Sequence, residues 1–410
     1  MKSFFVLIFL TIFSIADAQT IMTVEDALNI ALKNNYGILV AHNDAAVSRA
    51  NNTLGNAGMM PNVSFTGSSN FAPNNAKSYK TLSSGIELSW MLFDGGKMFV
   101  TKSKLSEIQS LGEIQFKEKV LQTQYSVVSA YFDVVRQKQQ LNSINEIIDY
   151  NKTLVKILQT SFDGGSARKS SLLQAKIDLN VYTENAINQQ FTIDAAKKYL
   201  NELLAVSPDS LFEVSDSIPI NFSFSKDELI QKLNSTNTSI LSFQKQMDIA
   251  KLGLKEFNKS RFPQINFRAG YYMSQIDNSS SNYGPQFGGS ISIPLYQSGK
   301  IRRQVSIAKL DVQSAEYDLE NIKHQVKNDL LNAITQFENQ QRLQAIEKEN
   351  NALTKENLEI SLQRMKLGET TTLEVHQAQE NYVQSCTRLT NFEYNLKIAE
   401  TKLKQLLSLM

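Results

Sequence analysis

The sequence predicts a mainly helical chain that carries membrane-type β-hairpins and is built from two copies of one unit. Three observations lead there. Shifted by 203 residues, the chain meets itself: Phe93-Asp94-Gly95-Gly96-Lys97 falls on Tyr296-Gln297-Ser298-Gly299-Lys300, Gly165 on Gly368, and Gln174-Ala175 on Gln377-Ala378. Nearer the front the shift is 202, so that Pro61 meets Pro263. Four segments of about ten residues alternate apolar with polar, the period of a strand with two unlike faces. Two proline-free stretches, from Lys97 to about Gln159 and from Lys300 to about Arg364, repeat apolar residues at three and four, the period of a helix.

Taken in order, Met1-Lys2, the apolar run from Phe4 to Ile15 and the small-residue site Ala16-Asp17-Ala18 read as a secretory signal peptide over residues 1–18. The run is too short to span a bilayer as a helix. The first repeat then covers 19–206, a Ser/Pro/Asp-rich linker 207–225, and the second repeat 226–410. Each repeat opens on a short amphipathic helix, Thr23 to Leu32 and Ser225 to Leu233, with Thr or Ser ahead of acidic residues to cap the free N–H groups. A second helix is expected from about Asn35 to Met60 and from about Asn237 to Phe262, stopped by Pro61 and Pro263.

The strands follow, at about 61–93 and 263–296, joined in pairs by polar turns at Pro73 to Tyr79 and Ile276 to Pro285. Their alternation assigns Phe65, Leu88, Trp90, Phe267, Ile291 and Ile293 to an apolar, lipid-facing side, and Glu87, Arg268 and Ser292 to a watery one. About ten residues is the length that a tilted strand needs to cross a bilayer. A soluble four-stranded sheet packed on a helix has the same alternation, so both readings stand on pattern alone. In lipid, however, four strands cannot close, and each unsatisfied backbone group at an open edge costs several kcal/mol. Other copies of the chain would have to complete such a barrel, most economically in a closed ring. The long helices turn at glycines, with tips at about 161–169 and 365–372, and return from about Ser170 to Leu204 and from about Thr372 to Leu407 as antiparallel coiled coils.

Composition narrows the function classes. Of 410 residues, 42% are hydrophobic and 20% charged with only 7 Pro, which describes an ordered chain. A net charge of +2 from 42 basic and 40 acidic residues leaves no electrostatic footprint for nucleic acid. The single cysteine, Cys386, cannot form an internal disulfide and reads as a small buried helical residue. Asp94-Gly95-Gly96-Lys97 lacks the spacing of a phosphate loop and reads as a glycine turn between strand and helix. His42, His324 and His376 are scattered. His376 and Glu380, one helical turn apart, permit a metal pair but read as ordinary surface residues. No nucleophile has a recognisable base, so neither an enzyme site nor a cofactor is expected.

The order helix, hairpin, long helix, glycine turn and returning helix, written twice, resembles the TolC-like outer-membrane efflux proteins over the whole mature length. Locally the resemblance rests on the Pro-started strands, on Leu92 to Lys97 with its twin Leu295 to Lys300, and on the segments Phe162 to Ala175 and Met365 to Ala378. It implies a homotrimer that closes a twelve-stranded β-barrel in the outer membrane and an α-helical tunnel in the periplasm. The implied role is the passive exit duct of a tripartite efflux or type I secretion system. Its partners would be an inner-membrane transporter and a periplasmic adaptor that grips the helical tips, where Gly165, Arg168, Lys169, Lys366, Gly368 and Glu369 lie. In the family, acidic residues three apart on the helix after the second tip form the narrowest ring. Those positions hold Glu374 and Gln377 here, so one of the pair is acidic. Thr371-Thr372-Leu373-Glu374 also fits a capping box, in which Glu374 would reach back to the backbone of Thr371. A soluble periplasmic coiled-coil adaptor or scaffold is the second reading of the whole chain.

Overall fold

A computed structural model describes residues 21–73, 79–220, 222–277 and 281–410; the expected signal peptide and the tips of both strand turns lie outside the described residues. In the first half come β1 (Ile21–Met22), α1 (Val24–Asn34), α2 (Tyr36–Asn51), β2 (Asn62–Ala72), β3 (Tyr79–Phe93), α3 (Lys97–Asp163), α4 (Lys169–Leu204) and β4 (Glu213–Val214). The second half holds α5 (Lys226–Thr236), α6 (Thr238–Lys259), β5 (Gln264–Ile276), β6 (Asn282–Ser292), α7 (Lys300–Leu367) and α8 (Thr372–Leu406). Two compact units result, each drawing on both halves: residues up to Asn34 with 126–220 and 340–397, and residues 35–125 with 221–339 and 398 onward.

The second of these units contains the sheet. Its order is β2-β3-β5-β6, antiparallel throughout, and β2 and β6 are its edges. Every residue of β2 is exposed and β6 is exposed almost throughout, so among the described residues no helix covers either face. That removes the packing on which the soluble-sheet reading depends. On one face the ring of Tyr272 lies flat over two glycines. A Cβ built on Gly85 would sit 2.4 Å from Tyr272 Cδ1, and one on Gly270 2.5 Å from its Cε2. Both positions need glycine for this close approach. Pro285 falls inside β6 rather than in the turn, opposite Tyr271. An edge strand tolerates proline because the missing N–H costs no in-sheet bond.

Two local arrangements recur in the twin halves. Asn35 accepts a hydrogen bond from Ile38 N at 3.2 Å and Asn237 one from Ile240 N at 3.1 Å, each capping the helix that follows. Arg49 pairs with Glu113 at 3.3 Å, and their counterparts Lys251 and Glu316 pair at 3.5 Å. Where the halves meet, α3 and α6 are joined by polar contacts. Glu256 accepts from Thr101 Oγ1 at 2.6 Å and from Lys104 Nζ at 3.0 Å, Lys245 donates to Glu107 at 2.6 Å, and Ser239 donates to Glu118 at 2.7 Å. One expectation is corrected here. The second helix of the first half ends at Asn51, not near Met60, because Asn52 closes it with its N–H on Arg49 O and Thr53 to Gly58 fold into turns. Asn56 stitches that segment to Asn51 O and Thr53 Oγ1, and Gly58 has a φ of +79°. Short polar side chains that bond nearby backbone compete with helix.

In the other unit, parts of α3, α4, α7 and α8 bury a common core that includes Ile147, Leu158, Leu172, Leu358, Val375 and Tyr382. Arg388 grips the buried Glu347 through two bonds, at 2.9 and 3.1 Å. Within residues read as linker, β4 pairs in parallel with β1, and Tyr131 Oη donates to Met22 O at 2.8 Å beside them. Two-residue strands are too short to show a period.

Asn237 is buried and bridges two elements, capping α6 and donating to Leu406 O at 2.8 Å near the chain's end. Replacing it by Ala removes the cap and leaves a buried carbonyl unpaired, a loss of about 2 kcal/mol. Thermal melting of Asn237→Ala in detergent should show an earlier transition; an unchanged melting point would mean that water replaces both bonds.

Candidate functional site

The two helical turns are the same structure. After α3, Ser166 N bonds Ser161 O at 2.8 Å and Gly165 N bonds Phe162 O at 2.9 Å. After α7, Glu369 N bonds Arg364 O at 2.9 Å and Gly368 N bonds Met365 O at 3.1 Å. A six-to-one bond around a five-to-two bond is the Schellman stop, which satisfies the last carbonyls of the helix and requires a left-handed residue at its centre. Gly165 at φ +76° and Gly368 at φ +78° supply it. A Cβ would meet nothing within 4 Å at either glycine, so the demand is conformational and not steric. Around the turns Arg168, Lys169, Lys366 and Glu369 are exposed, and none of them has an ion pair among the described residues.

Glu374 lies in the first turn of α8. Its backbone N–H donates to Thr371 Oγ1 at 3.3 Å, which makes Thr371 the cap. The carboxylate does not reach the Thr371 backbone as the capping box would have it. It accepts from the Thr370 hydroxyl and lies 3.7 Å from Arg364 Nη1. Arg364 also donates to Glu369 O at 3.0 Å, so one guanidinium ties the turn to the first acid of the next helix. Gln377, one turn on, is exposed and donates to Asn381 at 3.2 Å. Its counterpart Gln174 donates to Asp178 at 2.8 Å in the first half.

Behind that exposed row, α4 and α8 are tied by polar side chains. Tyr182 Oη donates to Glu380 Oε1 at 2.9 Å, and His376 Nδ1 lies 3.6 Å from Asp178 Oδ2. Burial, and then the bond to Glu380, pushes the Tyr182 phenol well above its ordinary value, so it remains a donor at physiological pH. A cleft of 230 Å³ between Leu154, Ser171, Gln174, Asp178, Leu373 and His376 opens beside this tie. Sequence reasoning singled out His376 and Glu380 as a pair with each other and missed Tyr182, Asp178 and Arg364. A signal was available for Asp178, which the shift of 203 sets on Asn381. Among the described residues no group of three or more metal-ligating side chains converges.

The strand registers sort the sheet residues. Phe65, Ile86, Tyr271 and Pro285 form one cross-strand row, Leu88, Ala269 and Phe287 the next, Trp90, Phe267 and Gly289 a third, and Ile265 stands opposite Ile291. Phe65, Leu88, Trp90, Phe267 and Ile291 therefore share one face. Ile293 keeps their parity but falls just past the end of β6. Glu87, Arg268 and Ser292 have the opposite parity, and Arg268 lies 3.7 Å from Glu87. Trp90 donates from Nε1 to Met59 O at 3.0 Å, tying the foot of β3 to the turn before β2. Among the described residues no helix is long and apolar enough to cross a membrane.

Comparison with known proteins completes the site. The model of the family described as outer membrane efflux protein matches this chain twice, over residues 27–206 and 229–408. The outer membrane efflux protein BepC of Brucella suis biovar 1 (strain 1330) is 22% identical over 388 residues, which cover 92% of this chain and 83% of BepC. Among solved structures, CusC, described in terms of folding and transmembrane channel formation, aligns at a TM-score of 0.80 with 18% identity, covering 95% of this chain and 92% of CusC. The CmeC outer membrane channel of Campylobacter jejuni aligns at 0.81 with 16% identity, covering 94% of this chain and 85% of CmeC. With both halves matched by one family model, the chain belongs to the outer membrane efflux protein family.

Proposed function

We propose that three copies of this chain close a twelve-stranded barrel in the outer membrane and a helical tunnel in the periplasm. The assembly is the passive exit duct of a tripartite efflux or type I secretion system. The observation that carries the reading is the bare four-stranded sheet, apolar on one face and unpaired at both edges. Exposed apolar stripes on the helices support assembly as well. On α7, Ile346, Leu353, Ile360 and Leu367 are exposed at a strict spacing of seven, the repeat of a coiled-coil seam without its partner. The chain reaches its site through cleavage of residues 1–18, and each repeat, 19–206 and 226–410, contributes one hairpin and one tip. A soluble adaptor has no use for such a sheet.

In this reading Phe65, Leu88, Trp90, Phe267, Ile291 and Ile293 face lipid, while Glu87, Arg268 and Ser292 face the water-filled lumen. Single cysteines at these positions, labelled with lipid-soluble and water-soluble reagents, should divide along that line. Equal reactivity of both sets toward the water-soluble reagent would overturn the barrel.

Gly165, Arg168, Lys169, Lys366, Gly368 and Glu369 dock the periplasmic adaptor, through which the duct meets its inner-membrane transporter. Exposed charge without internal partners, held on rigid turns, suits a polar interface. Replacing Gly165 and Gly368 together by Val should abolish export and leave oligomer assembly intact. Normal export in that variant would exclude docking through these turns.

Glu374, with Gln377 beside it on the exposed row of α8, lines the narrowest ring. Its contact with Arg364 moderates its charge, and the missing second acid leaves one carboxylate ring instead of two. Planar-bilayer recordings should show weak block by divalent cations, relieved several-fold in Glu374→Gln with little change in melting. If the variant is blocked as before and melts earlier, Glu374 serves only to fix the start of α8.

A further inference from the structure

We infer that the foot of β6 is a binding site for an anionic phospholipid: the cleft between Arg261 and the turn into α7 takes the phosphate, and Leu295 with Tyr296 takes the start of an acyl chain. The inference rests on the barrel reading above, in which this end of the strands, next to the helices, meets the periplasmic leaflet. The cleft, of about 470 Å³, is lined by Arg261, Lys300 and Arg302 together with Leu295 and Tyr296, all in the unit that carries the sheet. The three cations are exposed, and none of their side chains has an ion pair or hydrogen bond among the described residues. Arg303 adds a fourth positive charge, held against the turn by its bond to Ser298 O at 2.8 Å. Leu295 continues the parity of Ile291 and Ile293 past the end of β6. At 92% and 85% exposure, Leu295 and Tyr296 are the barest large apolar side chains among the described residues.

The first half lacks this set. The shifts place Met59 at Arg261, Phe99 at Arg302, Val100 at Arg303 and the acid Asp94 at Gln297, which leaves Lys97, the counterpart of Lys300, as the one shared cation. An equivalent turn is thus built without the charge, so the fold does not require it. Nor does the chain supply a counter-charge. Between Glu256 and Asp311 the only acid in the sequence is Asp277, at the far end of β5, where it accepts from Lys80 N at 2.8 Å. Glu256 is itself bound to Thr101 and Lys104. In the proposed ring the copy beside β6 brings its β2 and the turn before it, but residues 45–86 contain no acid. An anion from outside the protein is the partner left. Arginine and lysine give phosphate several charge-assisted hydrogen bonds. Basic side chains at headgroup level beside an apolar and aromatic surface match a lipid in both its parts, whereas a free phosphate has no use for Leu295 and Tyr296.

The test uses the full-length protein in detergent, titrated with phosphatidylglycerol or with phosphatidylcholine, bound lipid being counted by native mass spectrometry. Phosphatidylglycerol should bind at one per chain, on the order of tenfold tighter than phosphatidylcholine, because each basic side chain at a headgroup contributes separately. Arg261→Met and Arg302→Phe install the first half's residues at the same positions and should each weaken binding roughly fivefold. Arg261→Lys, which keeps the charge, should weaken it less. Lys309→Gln removes an exposed cation of α7 outside the cleft and should leave binding unchanged. Equal binding of the two lipids, or an equal loss in Lys309→Gln, overturns the inference. Displacement of the lipid by millimolar inorganic phosphate overturns the lipid as ligand and makes the cleft a free-anion site. A carbonate wash that releases the chain from membranes overturns the barrel instead, and the titration in detergent then reads the cleft by itself.

Discussion

A strand edge cannot end in lipid. Water satisfies the open N–H and C=O groups of an edge in solution, but in hydrocarbon nothing does. The sheet here has two such edges, β2 and β6, and no helix or loop among the described residues shields either. The proposed assembly follows from that requirement. In the proposed barrel a chain with four strands finds its further strands in identical copies, and the sheet ends where it can meet its own beginning. The helix α3 inherits the arrangement because little slack separates it from β3. Only Asp94, Gly95 and Gly96 lie between β3 and α3, and Asp94 already accepts from Met98 N at 3.0 Å to start the helix.

Duplication makes the differences between halves informative. The turns after α3 and α7 share their bonds and their left-handed glycine, so both ends are under one conformational demand. The first turns of the returning helices differ. Glu374 stands where the first half has Ser171, and with it come the Thr370 hydroxyl and Arg364, whose counterpart is Ser161. An arginine that braces an acid on one side of a duplicated plan is a local addition to the common scaffold. The Tyr182 bond to Glu380 joins α4 to α8 in the same unit, and Tyr182 has no aromatic counterpart, since Ser385 occupies that place.

How much of this could be read beforehand depended on the range of the interactions. The long helices, the hairpins and the glycine turns were legible because each is written locally, as a period or as a residue with an unusual φ. The helix expected to reach Met60 stopped at Asn51 because the Asn52 N–H on Arg49 O and side-chain bonds by Thr53 and Asn56 outweighed a weak helical period. The β1–β4 pair was invisible, since two residues carry no pattern and the pairing spans most of the first half. At the candidate site the position of Glu374 was legible, but not the partner of its carboxylate. Arg364 lies ten residues away across a turn, and a spacing rule for helix starts does not look behind the preceding helix. Parity placed Phe65, Leu88, Trp90, Phe267 and Ile291 together, because a period of two is unforgiving.

The polar contacts between α3 and α6 bear on how firmly the proposed joint between copies must be made. Lys104, Glu107, Lys245 and Glu256 are bound within one polypeptide, so each finds its partner at the millimolar effective concentration that a tether supplies. Partly exposed ion pairs worth about 0 to 1 kcal/mol each are sufficient under those conditions. A joint between separate molecules has no tether and must overcome dilution. In the proposed ring, the contact within each copy is secured by connectivity and remains free to be ionic, whereas the contact between copies bears the full entropic cost of association.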